Sequence, residues 1–165
     1  MKKVLAGLAI AGALFSPIAA QAQSAAADPT IKLSHFMSAY SVADMEAVTK
    51  FYVDVLDFKV VKDVPLGDAM HFRWLRNGNQ GIELVRMANS QPGPERGRPP
   101  AHLSVRGPGQ LMVQVENLEA TKAALLAKGV TPAVDITAIA ALGIKVLFVN
   151  DPEGNPIEIV EVTDD

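Results

Sequence analysis

The period of apolar positions along the chain changes several times, and the changes come twice in the same order. Residues 33–40 read as a short β-strand. Met45, Val48, Phe51/Tyr52 and Val55/Leu56 then recur at helical spacing, which predicts an amphipathic helix over 42–56. Ser41 is placed to be its N-cap, and Asp44 adds favourable charge in the first turn. A strand is expected at 58–64 and a turn at 65–68 (Pro-Leu-Gly-Asp). Residues 69–76 and 82–87 form the arms of a hairpin around the polar stretch 77–81. Further on, 111–115 reads as a strand, and Asn117 caps a helix that runs to about 128 and ends at Gly129. Strands are expected near 131–137 and 142–149, and a turn at 151–155 leads into a last strand at 157–162.

The repetition extends to the residues themselves. Val42-Ala-Asp-Met-Glu-Ala-Val-Thr-Lys50 matches Val115-Glu-Asn-Leu-Glu-Ala-Thr-Lys122 with one deletion, and the stretch from Gly78 to Val85 matches that from Gly154 to Val160. The offsets are 73 residues (42 to 115) and 75 residues (83 to 158). Agreement in order and spacing identifies a duplicated unit. The fold class is therefore α+β, two tandem βαβββ modules at 31–88 and 110–163. Between them, 89–109 is rich in Pro, Gly and Arg and reads as a linker.

Composition changes the picture at the N-terminus. Lys2 and Lys3, an apolar run from Val4 to Phe15 and the small-residue stretch ending Ala20-Gln21-Ala22 have the layout of a cleavable signal peptide. The expected mature protein starts near Gln23, with 23–30 disordered, and is periplasmic or secreted with no membrane segment left after cleavage. Without Lys2 and Lys3 the charge is 13 basic against 18 acidic residues, or −5. That balance argues against a nucleic-acid partner. The absence of cysteine excludes disulfides, thiolate zinc sites and cysteine nucleophiles.

Four stretches carry a family resemblance: Val42-x-Asp-Met, Phe51-Tyr52-x-x-Val55-Leu56-x-Phe58, Gly81-Ile-Glu-Leu84 and Asp151-Pro-Glu-Gly-Asn-Pro-Ile-Glu158. Over roughly 31–163 the chain resembles the vicinal oxygen chelate superfamily, which includes glyoxalase I, bleomycin-resistance proteins and extradiol dioxygenases. The resemblance implies two modules sharing a curved-sheet cleft, within one chain or across a homodimer. One fold hosts several activities here, so function must be argued from the site.

Strand alternation places Glu83 with Val85 and Met87, and Glu158 with Val160 and Val162. A carboxylate on an apolar face is costly unless it is paired or coordinates a cation. The two glutamates occupy equivalent positions of the duplicated unit, so they are expected to converge as oxygen donors. The resemblance adds a ligand from the first strand of each module. In the second module that position is Gln110; in the first it is Met37, a poor ligand for a hard cation, with His35 two residues earlier on the same strand face. The expected metal ligands are thus Glu83, Gln110, Glu158 and His35, with Glu158 also the catalytic base. The expected substrate cleft is Met37, His71, Arg73 and Trp74. His71 is a candidate acid/base, whereas His102, after Pro99-Pro100, is expected to be exposed.

By resemblance, the implied activity is that of a divalent-metal-dependent lyase or isomerase (Ni, Zn, Mn or Fe) acting on a small substrate with vicinal oxygens. The alternative is a non-catalytic protein that sequesters a small molecule, as bleomycin-resistance members do. The third option, an extradiol-type dioxygenase, needs two histidines and a carboxylate, which do not fall on matching positions.

Overall fold

The structure, a computed structural model, describes residues 36–163. The expected signal segment, the mature N-terminus and His35 lie outside the described residues. The elements run β1 (Met37–Ser41), α1 (Met45–Leu56), β2 (Lys59–Leu66), β3 (Met70–Asn77), β4 (Gln80–Met87), β5 (Leu111–Gln114), α2 (Leu118–Ala127), β6 (Val134–Ile139), β7 (Ile144–Asn150) and β8 (Pro156–Val162). Short 3₁₀ turns occupy Ala101–Ser104 and Ala140–Leu142.

Two four-stranded sheets result, ordered β1-β4-β3-β2 and β5-β8-β7-β6. In each, the first strand runs parallel to the last and the other pairings are antiparallel. A parallel pair needs a crossover between its strands, and α1 or α2 begins that crossover in each module. The duplicated βαβββ plan is therefore present twice.

The start of α1 differs from the sequence expectation. Asp44, not Ser41, is the N-cap: its carboxylate accepts from the backbone N–H of Glu46 and Ala47 at 3.1 and 2.9 Å. Ser41 still pairs with Val85, and the Val42 N–H donates to the Val85 carbonyl at 2.9 Å. A backbone committed to the ladder cannot turn into a helix there, so α1 starts three residues late. In the second module Asn117 caps α2, accepting from Ala120 N–H at 2.8 Å, and Gly129 adopts φ +79° just beyond its end. That left-handed geometry suits glycine. Pro65 and Leu66 belong to β2 rather than to the turn expected at 65–68.

Both modules contribute to one core. Val48 and Tyr52 of α1, Leu75, Ile82 and Leu84 of the first sheet, Leu118 and Leu125 of α2, and Leu147, Val149, Ile157 and Ile159 of the second sheet pack in a single buried cluster. Truncating one such leucine or isoleucine to alanine typically costs about 2–5 kcal/mol. Two polar contacts tie α1 to the second module. The Glu153 carboxylate accepts from the Ala43 and Asp44 N–H groups at 2.7 Å each, at the helix N-terminus, where negative charge is favoured. At the other end the Lys128 ammonium donates to the Val55 carbonyl at 3.0 Å and to Asp57 at 3.1 Å.

Because Ile82, Leu84, Ile157 and Ile159 look into this core, strand alternation turns Glu83 and Glu158 to the opposite faces of their sheets. The fold thus presents two carboxylate faces, both directed away from the helices.

Candidate functional site

The first carboxylate face is built on β2, β3 and β4. Trp74 lies directly opposite Glu83 across the β3–β4 pair, and its indole N–H donates to Glu83 Oε1 at 2.7 Å. The Lys62 ammonium sits 4.4 Å from the centre of the indole ring, in cation–π range. Lys62, Val64, Phe72, Trp74 and Glu83 line a cavity of about 140 Å³. An apolar, aromatic wall with one oriented carboxylate is the usual make-up of a small-molecule pocket. Met37 lies on this same face, its side chain over Gly81; a Cβ added at Gly81 would come within 2.5 Å of Met37 Cγ.

His71 and Arg73 are elsewhere. They share β3 with Trp74 but point to the other side of the sheet, as Leu75 does. Arg73 is buried beneath α1, donating to Thr49 Oγ1 at 3.0 Å and pairing with Glu46 at 2.9 Å and Asp63 at 2.9 Å. His71 bonds the same Asp63 at 2.5 Å. The Arg73 guanidinium holds the Asp63 carboxyl below its ordinary range. These residues brace α1 on its sheet and do not join the Glu83 face, so of the expected cleft residues only Met37 and Trp74 lie there.

The second carboxylate face carries Glu158, opposite Phe148 on β7 and Met112 on β5. Gln110, just before β5, donates from its amide nitrogen to Glu158 Oε2. Its amide oxygen meets Nε2 of His102 at 2.5 Å. His102, expected to be exposed, is 0% exposed. The 3₁₀ turn Ala101–Ser104 brings it onto the second sheet, its ring edge-on to Phe148 at 5.9 Å between centroids. Arg98 anchors the turn by donating to the Ala133 carbonyl at 2.8 Å. Burial pushes the Glu158 carboxyl above its ordinary range, while nearby His102 acts in the opposite direction. Composition conceals this histidine, because Pro-rich, Arg-rich segments are usually solvated. The only hint is the apolar flank of Ala101 and Leu103.

Among the described residues, no three His, Asp or Glu side chains gather as metal ligands, and Glu83 and Glu158 belong to separate sheets. The chain instead presents two separate carboxylate clusters. One holds Glu83 beside Trp74, and the other a contiguous imidazole, amide and carboxylate. The second donor set fits a divalent cation chemically, since imidazole nitrogen with carboxylate or amide oxygen suits Zn, Ni and Fe. Among the described residues, the two-histidine, one-carboxylate set of a dioxygenase is not assembled, because His71 lies on the helix side of its sheet.

Comparison with known proteins agrees with this architecture. The Glyoxalase/Bleomycin resistance protein/Dioxygenase superfamily profile matches residues 32–159, and the chain belongs to that superfamily. The crystal structure of SMU.1112c is similar, with 27% identity and a TM-score of 0.66, over 80% of this chain and 100% of that one. A glyoxalase family protein from Enterococcus faecalis is 26% identical with a TM-score of 0.61, over 79% and 97% of the two chains. The trypanothione-dependent glyoxalase I of Leishmania major shares the fold at 20% identity, with a TM-score of 0.58 over 79% and 87%. No curated protein sequence matches the chain.

Proposed function

We propose that this chain is a glyoxalase-like lyase or isomerase that binds a divalent cation (Ni, Zn, Mn or Fe) and a small organic substrate with vicinal oxygens. The observation that carries the reading is the equivalent placement of Glu83 and Glu158 in the two modules. Equivalent positions of two modules hold carboxylates on faces turned away from the core, and neither has a lysine or arginine partner among the described residues. Glu83, Gln110 and Glu158 would hold the cation. When bound, it polarises substrate oxygens and stabilises negative charge developing on them.

The chain's own residues supply the rest. Glu158, desolvated and therefore more basic than an exposed glutamate, takes a proton from one substrate carbon and returns it to the neighbouring one. Gln110 fixes which way that carboxylate faces. Trp74, Phe72 and Val64 pack against the apolar part of the substrate and exclude water, and the Trp74 N–H holds Glu83 in one orientation.

Both carboxylate faces turn away from the chain's own helices, so a second copy is the natural means of closing one against the other. A twofold dimer places the Glu83 face of one protomer on the Glu158 face of its partner. We also propose export directed by residues 1–22, which N-terminal sequencing of the secreted or periplasmic protein would check by a start near Gln23.

Metal analysis of the purified mature protein tests the central reading. Stoichiometric Ni, Zn, Mn or Fe, lost in a Glu83→Gln/Glu158→Gln double variant, supports it. A metal-free protein that still binds an aromatic ligand overturns it in favour of sequestration without catalysis. That second reading draws on the aromatic cavity beside Glu83, which needs no cation to hold a small molecule.

A further inference from the structure

His102 comes from the linker, not from a strand, and its environment is unusual for a core residue. Its ring is fully buried, yet only one of its nitrogens is used. Nε2 meets the Gln110 amide oxygen at 2.5 Å, while Nδ1 has no hydrogen-bond partner among the described residues. If Nε2 carries the proton, Nδ1 is left as a buried, unpaired lone pair. Such a group costs stability that an apolar side chain of similar size would not.

The fold nevertheless spends several features on keeping the ring there. Arg98 pins the approach to Ala133. The Ala101 N–H donates to the Arg98 carbonyl at 2.8 Å, and the Leu103 N–H to Pro100 at 3.1 Å. Gly109 leaves room for the turn, since a Cβ there would come within 2.6 Å of Leu103 Cδ2. A residue that is costly to bury and closely held is placed for what it touches.

What it touches is Gln110, which in turn touches Glu158. Imidazole nitrogen, amide oxygen and carboxylate oxygen thus follow one another on one face of a single module. Among the described residues, the Glu83 face offers no comparable nitrogen. Its neighbouring side chains are the Met37 thioether, the Lys62 ammonium and the Trp74 indole, which is a donor only. We infer that the linker residue His102 is the nitrogen ligand of the cation site, acting with Gln110 and Glu158 so that the second module holds the cation and Glu83 completes its shell. This rests on the cation-binding reading above. It adds a ligand from outside the strands and makes Met37 dispensable for binding.

The test uses tag-free protein loaded with Zn²⁺ or Ni²⁺, with metal per chain measured after gel filtration and affinity by calorimetry. Protein loaded with Cu²⁺ is then examined by pulsed EPR for imidazole nitrogen coupling. The expected result is that His102→Gln, folded by circular dichroism, binds at least about tenfold more weakly and loses the nitrogen signal. Lys50→Ala, on the exposed side of α1, should change neither. A complementary variant, His35→Gln/His71→Gln, leaves His102 untouched and should keep the nitrogen signal even if His102→Gln fails to fold. Wild-type affinity and an intact nitrogen signal in His102→Gln overturn this inference and leave the cation reading standing. Loss of the signal in the double variant likewise overturns only the assignment to His102. Wild-type protein that takes up none of these metals overturns both.

Discussion

The contact between Trp74 and Glu83 makes a quantitative prediction. Their hydrogen bond, 2.7 Å from Nε1 to Oε1, has a charged acceptor and is partly buried. A buried hydrogen bond to a charged group contributes about 1.5–3 kcal/mol. Partial solvent access lowers this to about 1 kcal/mol. Trp74→Phe removes that bond and the Lys62 cation–π contact, worth about 0.5–1 kcal/mol at an exposed site. The ring itself is only trimmed, so the total loss should be about 2 kcal/mol. Glu83→Ala loses the same bond but keeps the indole and its cation–π contact with Lys62, so its own cost should be smaller. A double-mutant cycle of Trp74→Phe, Glu83→Ala and the combined variant isolates the shared term. Urea unfolding followed by far-UV circular dichroism is the suitable assay, since Trp74 is the chain's one tryptophan and its fluorescence disappears in the variant. A coupling energy near 1 kcal/mol is expected. A value below about 0.3 kcal/mol would show that the two side chains do not hold each other, and Glu83 would then lack a fixed orientation.

Three further outcomes are expected. Glu153→Ala removes two hydrogen bonds at the α1 N-terminus and should destabilise by about 1–2 kcal/mol, read as a lower thermal midpoint, with Glu153→Gln losing less. Gly81→Ala drives a methyl group into Met37 Cγ and should cost about 1–3 kcal/mol, with most of the loss recovered by adding Met37→Ala; thermal unfolding of both variants checks this. The Asp63 carboxyl is held low by Arg73, so its stabilising effect is present above the ordinary value of 3.8 and is lost as pH falls through the lower folded-state value. Denaturation curves of wild type and Asp63→Asn should differ at pH 6 and converge well below pH 3.8; a constant gap across that range would contradict the sign.

The fold was largely legible in the sequence because its determinants are local. Helical spacing from Met45 to Leu56, the Asn117 cap and the glycine at 129 act within a few residues, and the duplication repeats them. What escaped depends on partners distant in sequence. Ser41 is as good a cap as Asp44 by chemistry alone. Only the pairing of β1 with β4, which runs on to Val42, decides between them. His71 and Trp74 are both cleft candidates in the sequence, yet a strand has two faces. Leu75 shows which face is covered by α1, and His71 and Arg73 share it. Glu83 and Glu158 are readable as equivalent positions, but their separation onto two outward faces follows from how α1 packs against both modules. His102 was hidden most completely, since a linker's composition says nothing about the sheet it folds onto.

That docked turn also sets the slack of the connecting tether. From Arg98 onward the connector is held on the second module through Ala133 and the buried His102 ring. The first module ends its last strand at Met87. Ala88 is still held to the first module, its N–H donating to the Ala69 carbonyl at 3.0 Å, and the Ser90 N–H turns back to Met87 at 3.1 Å. That leaves 91–97 to span the gap, a reach of roughly 25 Å at full extension. Both modules also share one buried core, so a tether this short joins parts that already pack as one unit. Shortening 91–97 by a few residues should therefore strain the packing of the two modules and lower the thermal midpoint, whereas the same deletion made after Arg98 would also pull His102 off the second sheet.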